Sequence, residues 1–350
     1  MSIIEIAKKA GVSYATVSRV INGRSGVSKE TLAKVNRVLN DIGYTPPPRG
    51  RRRGPSIMNP QGIQYGALAL LWTCSRAEAM CPVASSLLHG ANAAAVKEGL
   101  NLVVDCISET GLFPQLVEAG KVDGVLIVGP EPSADLAEKL RRMNCVWLLS
   151  RGATSWGDRI ESDHTATGRI AFEILRRRGH RRLACIYNTS ELAPPAFKER
   201  SDNFVAAARQ AGMTAHVIEH AESSQTNGIY DNEFDDQVLK ELIERLIAID
   251  ERPTGIFVAS DIMVPLHHEM IRRQLRPGRD FELVCCNVEN LRSVGVQPSP
   301  LVISIQPELI GRLAVDRILW RAQNPQARGI IRTLVHPVLM NPDEPSLFEG

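Results

Sequence analysis

Residues 4–22 read IEIAKKAGVSYATVSRVIN and residues 27–46 read VSKETLAKVNRVLNDIGYTP, and these two stretches decide the fold of the amino-terminal end. Ser2-Ile3-Ile4-Glu5 has the Ser-x-x-Glu form of a capping box, after which Ile3, Ile6, Ala7 and Ala10 share one helical face until Gly11. Ser13 is placed to cap a second helix that runs to Ile21 and is broken by Asn22-Gly23. Ser28 is placed to cap a third, in which Leu32, Val35, Leu39 and Ile42 repeat at helical spacing until Gly43. Only Gly11-Val12-Ser13 separates the first two helices, and glycine supplies the positive φ that so tight a turn demands. This spacing predicts a helix-turn-helix, whose second helix enters the DNA major groove amino end first. Tyr14, Ala15 and Arg19 then face base edges, while Ser13, Thr16, Ser18 and Asn22 reach phosphates. Arg19 suits O6 and N7 of guanine, and Ala15 suits a thymine methyl. A solvated three-helix bundle with no ligand would leave the agreement of caps, turn, spacing and charge unexplained.

Charge separates this end from the rest of the chain. Eleven lysines and arginines stand against three acids in residues 1–55, so the remainder is net acidic although the whole chain carries only +2. A basic head on an acidic body is the footprint of a protein that neutralises phosphates with one end. The 350 residues, 44% apolar and 23% charged, are ordinary globular composition for two or three domains. No apolar run approaches the ~20 residues of a membrane span, and MSIIEIAKKAGVS lacks the apolar core of a signal peptide, so a cytoplasmic protein is expected. The seven cysteines show no Cys-x-x-Cys spacing and lie in apolar stretches, which predicts buried thiols, no metal site and no disulfide framework.

The two opening stretches resemble the DNA-binding headpiece of the lactose repressor (LacI/GalR) family, and the match runs without a gap from Ile3 to Pro46. The resemblance implies a homodimer that reads the two half-sites of a pseudo-palindromic operator in double-stranded DNA, with Ser28 and Thr31 adding phosphate contacts. It also implies a hinge helix after the headpiece, carrying an Asn-x-x-Ala-Arg-x-Leu pattern whose Leu wedges into the minor groove. Residues 45–64 instead read TPPPRGRRRGPSIMNPQGIQ, where Pro46, Pro47 and Pro48 with Gly50 and Gly54 oppose a helix and no Leu stands in place. Arg49, Arg51, Arg52 and Arg53 either lie along the minor groove as a basic arm or form a solvated tether.

From Gly66 onward, β-rich runs at 66–72, 101–107, 123–128, 181–187, 255–260 and 281–287 alternate with amphipathic helical patterns at 83–98, 134–143, 166–178, 197–210 and 234–249. Such alternation predicts parallel sheets with helices on both faces, enough for two Rossmann-like lobes. No Walker A or Gly-x-Gly-x-x-Gly motif opens a helix, and no cofactor is expected. The family resemblance continues through Asp163-His164 with Gly168, GHRRLACI at 179–186, Arg200 with Phe204, PTGIFVASDIM at 253–263, FELVCCNVE at 281–289 and VISIQPELIGRLAVDRIL at 302–319. It implies an α/β bilobed periplasmic-binding-protein-like domain behind the all-α helix-turn-helix headpiece. The expected division is a headpiece at 1–45, a linker at 46–62, a bilobed effector-binding and dimerisation domain at 63–340 and a tail at 341–350. Lobe 1 would take about 63–159 and 291–322, and lobe 2 about 160–290 and 323–340.

Ligands in such folds bind between lobes at the carboxyl ends of strands. Carried over position by position, Trp72, Arg200, Ser260, Asn287 and Gln306 would line that cleft. Arg200 either clamps a ligand hydroxyl pair or carboxylate or bridges strands, and Trp72 either stacks on a sugar face or is core. Ser150 and Asn287 stand where the family often has acids, which removes two strong acceptors for a neutral sugar and leaves an anionic or amide-bearing ligand, or none, open. The function expected is a sequence-specific transcription repressor controlled by a small sugar or sugar-derived effector, possible alternatives being a constitutive regulator with a silent cleft or an enzyme. Against an enzyme, His267-His268 on a helical pattern point to different faces and no nucleophile, base and orienting group assemble.

Overall fold

The computed structural model describes residues 3–21, 27–43, 62–74, 79, 81–107, 111–149, 155–190, 193–221, 236–288 and 296–340, with the backbone alone at 3–5, 14, 15, 18, 29 and 236. The chain forms two compact units, Met1–Met58 and Asn59–Gly350. The first holds α1 (Ile3–Ala10), α2 (Tyr14–Ile21) and α3 (Lys29–Asp41) around Ile6, Ala7, Val17, Val35 and Leu39. Gly11 sits at φ +65° and lets Val12 N–H return to the Ala7 carbonyl at 3.1 Å, which ends α1 and aims the chain into α2. Ser13 Oγ accepts the Thr16 N–H and Ser28 Oγ the Thr31 N–H, both at 3.2 Å, so the two expected caps form. The proposed box of Ser2 with Glu5 lies outside the described residues and side chains. Leu32 departs from expectation: it is 41% exposed, and Val38 packs against the cluster in its stead. Helical spacing gives several adjacent faces the same apolar count, and only the placement of α1 and α2 selects one.

In the second unit, β1 (Ala67–Trp72), β2 (Asn101–Cys106), β3 (Gly124–Val128), β4 (Cys145–Leu148) and β5 (Asp158–Ser162) join β11 (Arg332–Val335) in one parallel sheet of order β11-β5-β4-β3-β1-β2. The second sheet, β12-β10-β9-β8-β6-β7, is built from β6 (Leu183–Asn188), β7 (Ala215–His220), β8 (Gly255–Val258), β9 (Glu282–Cys286), β10 (Leu301–Ser304) and the antiparallel β12 (Val338–Leu339). The central strands of each are buried along their whole length, as a sheet covered on both faces requires. In both sheets the second strand lies outside the first and the third on its other side, so each lobe has a topological switch point, at β1/β3 and at β6/β8.

The boundaries expected for the lobes need correction. β5 belongs to the first sheet although lobe 2 was expected to open at 160; β10, expected in lobe 1, pairs with β9; and β11, expected in lobe 2, pairs with β5. Strands this short pair by tertiary placement, which no local period records. The chain therefore crosses between lobes three times, at Asp163, at Ile305-Gln306 and at His336-Pro337. The crossings are stitched together: Asp163 N–H donates to the Val335 carbonyl at 2.9 Å, and Gln306 Nε2 to the His336 carbonyl at 2.6 Å.

Helices cover both sheets. α4 (Pro82–Lys97) and α11 (Pro307–Gln323) meet backbone to backbone, because a Cβ on Gly90 would overlap the Glu308 carbonyl and one on Gly311 the Leu87 carbonyl. α7 (His164–Arg177) meets α8 (Pro195–Gln210) in the same way, Gly168 lying against the Arg200 carbonyl. Among the described residues the segment between β2 and β3 includes the four-residue α5 (Gln115–Glu118), which begins directly after Pro114. Remaining helices are α6 (Ala134–Leu140), α9 (Asp236–Ile247) and α10 (Met263–Arg272). Among the described residues no helix is long and apolar enough to cross a membrane, and no cluster of three His, Cys, Asp or Glu could hold a metal.

Candidate functional site

Two regions carry the chemistry. In the first unit, α2 turns Val17 to the core and leaves Arg19 exposed in its last turn. Ser13 and Thr16 hydroxyls bond each other at 2.9 Å at the α2 amino end, and Ser28 and Thr31 repeat the pair at 2.8 Å on α3. Each pair sits beside helix N–H groups that favour negative charge, a setting suited to phosphate. The side chains of Tyr14, Ala15 and Ser18, and the whole of Asn22, Arg49, Arg51, Arg52 and Arg53, lie outside what is described.

In the second unit a cavity of about 110 Å³ opens between the lobes at the carboxyl ends of β1, β3, β4, β8 and β9. Three of the five expected ligand residues reach its wall: Trp72, Arg200 and Asn287. Ser260 does not; it is 1% exposed, and its hydroxyl has no hydrogen-bond partner among the described residues. Gln306 also stays off the wall, its side chain spent on the His336 carbonyl and its backbone left-handed at φ 56°. Ile305, one position earlier, lines the cavity instead.

Arg200 is the centre of the site. Only 2% exposed, it donates from Nε to His164 Nδ1 at 3.2 Å, from Nη1 to the Ala259 carbonyl at 3.3 Å and to Cys286 Sγ at 2.9 Å, and from Nη2 to Asn287 Oδ1 at 3.2 Å. Asn287 passes the link on, its Nδ2 donating to Asp261 Oδ1 at 2.7 Å. Both uses foreseen for Arg200 are thus compatible, since it bridges β8 and β9 and still faces the cavity. Because His164 Nδ1 accepts from Arg200, the neutral ring carries its proton on Nε2. Burial, then the charges of Arg200 and Arg332, hold that histidine well below its ordinary range, so it stays neutral. Leu149 and Asn287, both on the wall, and Gln306 on the crossing beside it are three of the four non-glycine residues with left-handed backbone among those described.

His164 and Asp261 are the site residues that sequence reasoning passed over. Both lie just beyond sheet strands, His164 two residues after β5 and Asp261 three residues after β8, and the rule that ligands collect beyond strand ends would have found them. Cys286 closes a buried strand as expected, and its sulfur accepts from Arg200.

Residues 2–47 match the family described as bacterial regulatory proteins, lacI family, and residues 172–339 match the periplasmic binding protein-like domain. The chain belongs to the LacI family. It is a DNA-binding transcription regulator with a helix-turn-helix headpiece and a periplasmic-binding-protein-like domain. The HTH-type transcriptional repressor PurR of Photobacterium profundum is 24% identical over 336 residues, covering 92% of each chain. The ribose operon repressor of Escherichia coli K12 is 24% identical, covering 96% of this chain and 97% of that one. Among solved structures, the lac repressor dimer bound to operator and the anti-inducer ONPF superposes with a TM-score of 0.62 at 22% identity, and the regulator CelR in complex with cellobiose with 0.61 at 21%, each covering 97% of this chain and 98% of the other. At these identities the superpositions bear on the fold, two lobes and headpiece alike.

Away from the LacI-family cleft, His220 reports on the packing of lobe 2. It is 5% exposed, its ring nitrogens have no hydrogen-bond partner among the described residues, and burial, with the Arg245 charge adding, lowers it from 6.5 to about 4. Below pH 6.5 the unfolded chain takes a proton that the folded ring refuses, so its contribution to stability is complete above 6.5 and declines as the pH falls toward 4. From pH 7 to pH 5 the unfolding free energy of the parent is expected to fall about 2 kcal/mol further than that of His220→Leu. Urea titrations of both at the two pH values check this; parallel losses would remove His220 as the cause.

Proposed function

We propose that the protein is a cytoplasmic, dimeric repressor whose affinity for a pseudo-palindromic operator is set by a small molecule bound in the interlobe cavity. The observation that carries this reading is the position of the buried Arg200 cluster: it lines a cavity between two sheets joined by three stitched crossings. A ligand held by both lobes favours one degree of closure, and it regulates only as far as its affinity differs between the two closures. The relatives' names, a ribose operon repressor and a regulator in complex with cellobiose, support a small polar effector of sugar size. At about 10–15 Å³ per water-sized site the cavity admits one compact molecule. Trp72, Arg200 and Asn287 would touch it, together with His164 and Asp261.

On the DNA side, Tyr14, Ala15 and Arg19 read bases, Ser13, Thr16, Ser18, Asn22, Ser28 and Thr31 hold phosphates, and Arg49 with Arg51 to Arg53 supplies a basic arm. Genome-wide footprinting with and without a panel of sugars, sugar acids and purines tests the whole reading; occupancy that no compound alters would leave a constitutive regulator. Arg19→Ala is expected to weaken operator binding by about 1–3 kcal/mol and to relax preference at one base pair per half-site. Retained affinity and selectivity in that variant would remove Arg19 from base reading. Replacing the four linker arginines by alanine should flatten the slope of log K against log salt, and an unchanged slope would make the segment a tether.

A further inference from the structure

The polar and apolar parts of the cavity wall come from different lobes. Among the described residues, lobe 1 contributes Trp72, Val83, Leu87 and Val128 with the thiols of Cys74 and Cys81, and no charged, amide or hydroxyl side chain. The four strongly hydrogen-bonding side chains of the wall, His164, Arg200, Asp261 and Asn287, all belong to lobe 2. A sugar carries hydroxyls around its whole rim. Those that face such a lobe 1 lose their water without a replacement partner.

The charge of the polar end is also specific. Among the described residues none of the acceptors around Arg200 is a carboxylate: they are an imidazole nitrogen, a peptide carbonyl, a thiol and an amide oxygen. Asp261 is held one residue away, because Asn287 inserts its amide between the two. A guanidinium buried to this degree draws an anion, since its charge is expensive in a dry site without one. The second Nη2 proton of Arg200 and the Nε2–H of His164 are the donors left for it.

We propose that the ligand is a compact amphipathic carboxylic acid, with an aromatic or branched aliphatic body against lobe 1, its carboxylate on Arg200 and His164, and a neighbouring hydroxyl or amino donor on Asp261. This rests on the reading of the cavity as the effector site and narrows the class of effector. Polyhydroxylated acids meet the charge requirement and fail against the apolar wall; neutral aromatic alcohols do the reverse.

Calorimetric titration of the full chain separates these requirements. The probes are mandelate, phenylglycine, 1-phenylethane-1,2-diol, ribonate and ribose. At least one of the first two is expected to bind tenfold or more tightly than the diol, ribonate and ribose, and the stronger of the pair tells whether hydroxyl or amine meets Asp261. Asn287→Asp keeps the side-chain shape and places a carboxylate on Arg200; it should weaken the acid at least tenfold, and more than it weakens the diol. Diol and acid binding equally, ribose or ribonate binding more tightly than both acids, or no heat from either acid at millimolar concentration would each overturn the proposal. An acid that binds while operator affinity stays constant would leave the ligand class standing and refute the effector role, and a sugar that releases the operator would do the opposite.

Discussion

Arg321→Met is expected to cost the second unit about 3–5 kcal/mol of unfolding free energy, because it strands a buried carboxylate. Asp158, 3% exposed at the start of β5, receives Arg321 Nε at 2.7 Å and Nη2 at 2.5 Å, and its Oδ1 also accepts the Ile331 N–H at 2.9 Å. The same guanidinium donates to the carbonyls of Ala327 at 2.9 Å and Gly329 at 2.6 Å, so it fixes the turn that brings the chain from α11 back to β11. Two bonds in one plane, a partner with little access to water and three backbone groups set by the pair distinguish it from surface ion pairs such as Lys34 with Glu30, whose side chains are 60% and 80% exposed. Urea denaturation gives the cost directly. The double variant Asp158→Leu with Arg321→Met is expected to recover about half of it or more, since removing both charges removes the stranded one. A loss under about 1 kcal/mol in Arg321→Met would mean that solvent reaches Asp158 freely.

Gly311→Val should be comparably severe, at about 3 kcal/mol or more. The new side chain overlaps the Leu87 carbonyl and crowds the Ala91 N–H, and both are backbone atoms of α4 that cannot rotate aside. The helices must separate, and the Gly90 contact with the Glu308 carbonyl one turn away is lost with them. Val83, Ala84 and Leu87 of α4 line the cavity, so separation also alters the ligand wall. Thermal melts of Gly311→Val beside Val96→Ala, a change at a 64% exposed position of α4, provide the measurement. Equal melting temperatures for the two variants would show that α4 and α11 tolerate a wider spacing.

The legible parts of this protein were those in which a local rule has a local cause. The caps at Ser13 and Ser28, the left-handed turn at Gly11 and the central strands β1, β3, β6, β8 and β9 follow from side-chain hydrogen bonds, glycine's freedom and continuous apolar runs. The edge strand β7 and the short β11 escaped because their burial alternates or is slight, leaving no apolar run to read. Of the positions carried over by resemblance, Trp72, Arg200 and Asn287 line the cavity, whereas at Ser260 and Gln306 it is the adjacent Asp261 and Ile305 that do. A one-residue shift at a strand end turns a side chain to the opposite face, and the local backbone, here left-handed at Gln306, decides which residue faces the cavity.

By itself, the order of residues determined a basic three-helix reader, two α/β lobes and the presence of Arg200, because periodicity, capping and charge act between neighbours along the chain. Only the tertiary structure decided that β10 and β11 exchange sheets, that two pairs of helices touch through Gly90, Gly168 and Gly311, and that Arg200 lies among neutral acceptors with Asp261 one amide away. Those features depend on contacts between segments that are not neighbours along the chain, where the free energy resides in fitted surfaces and buried charge, and no short stretch of sequence holds both sides of such a contact.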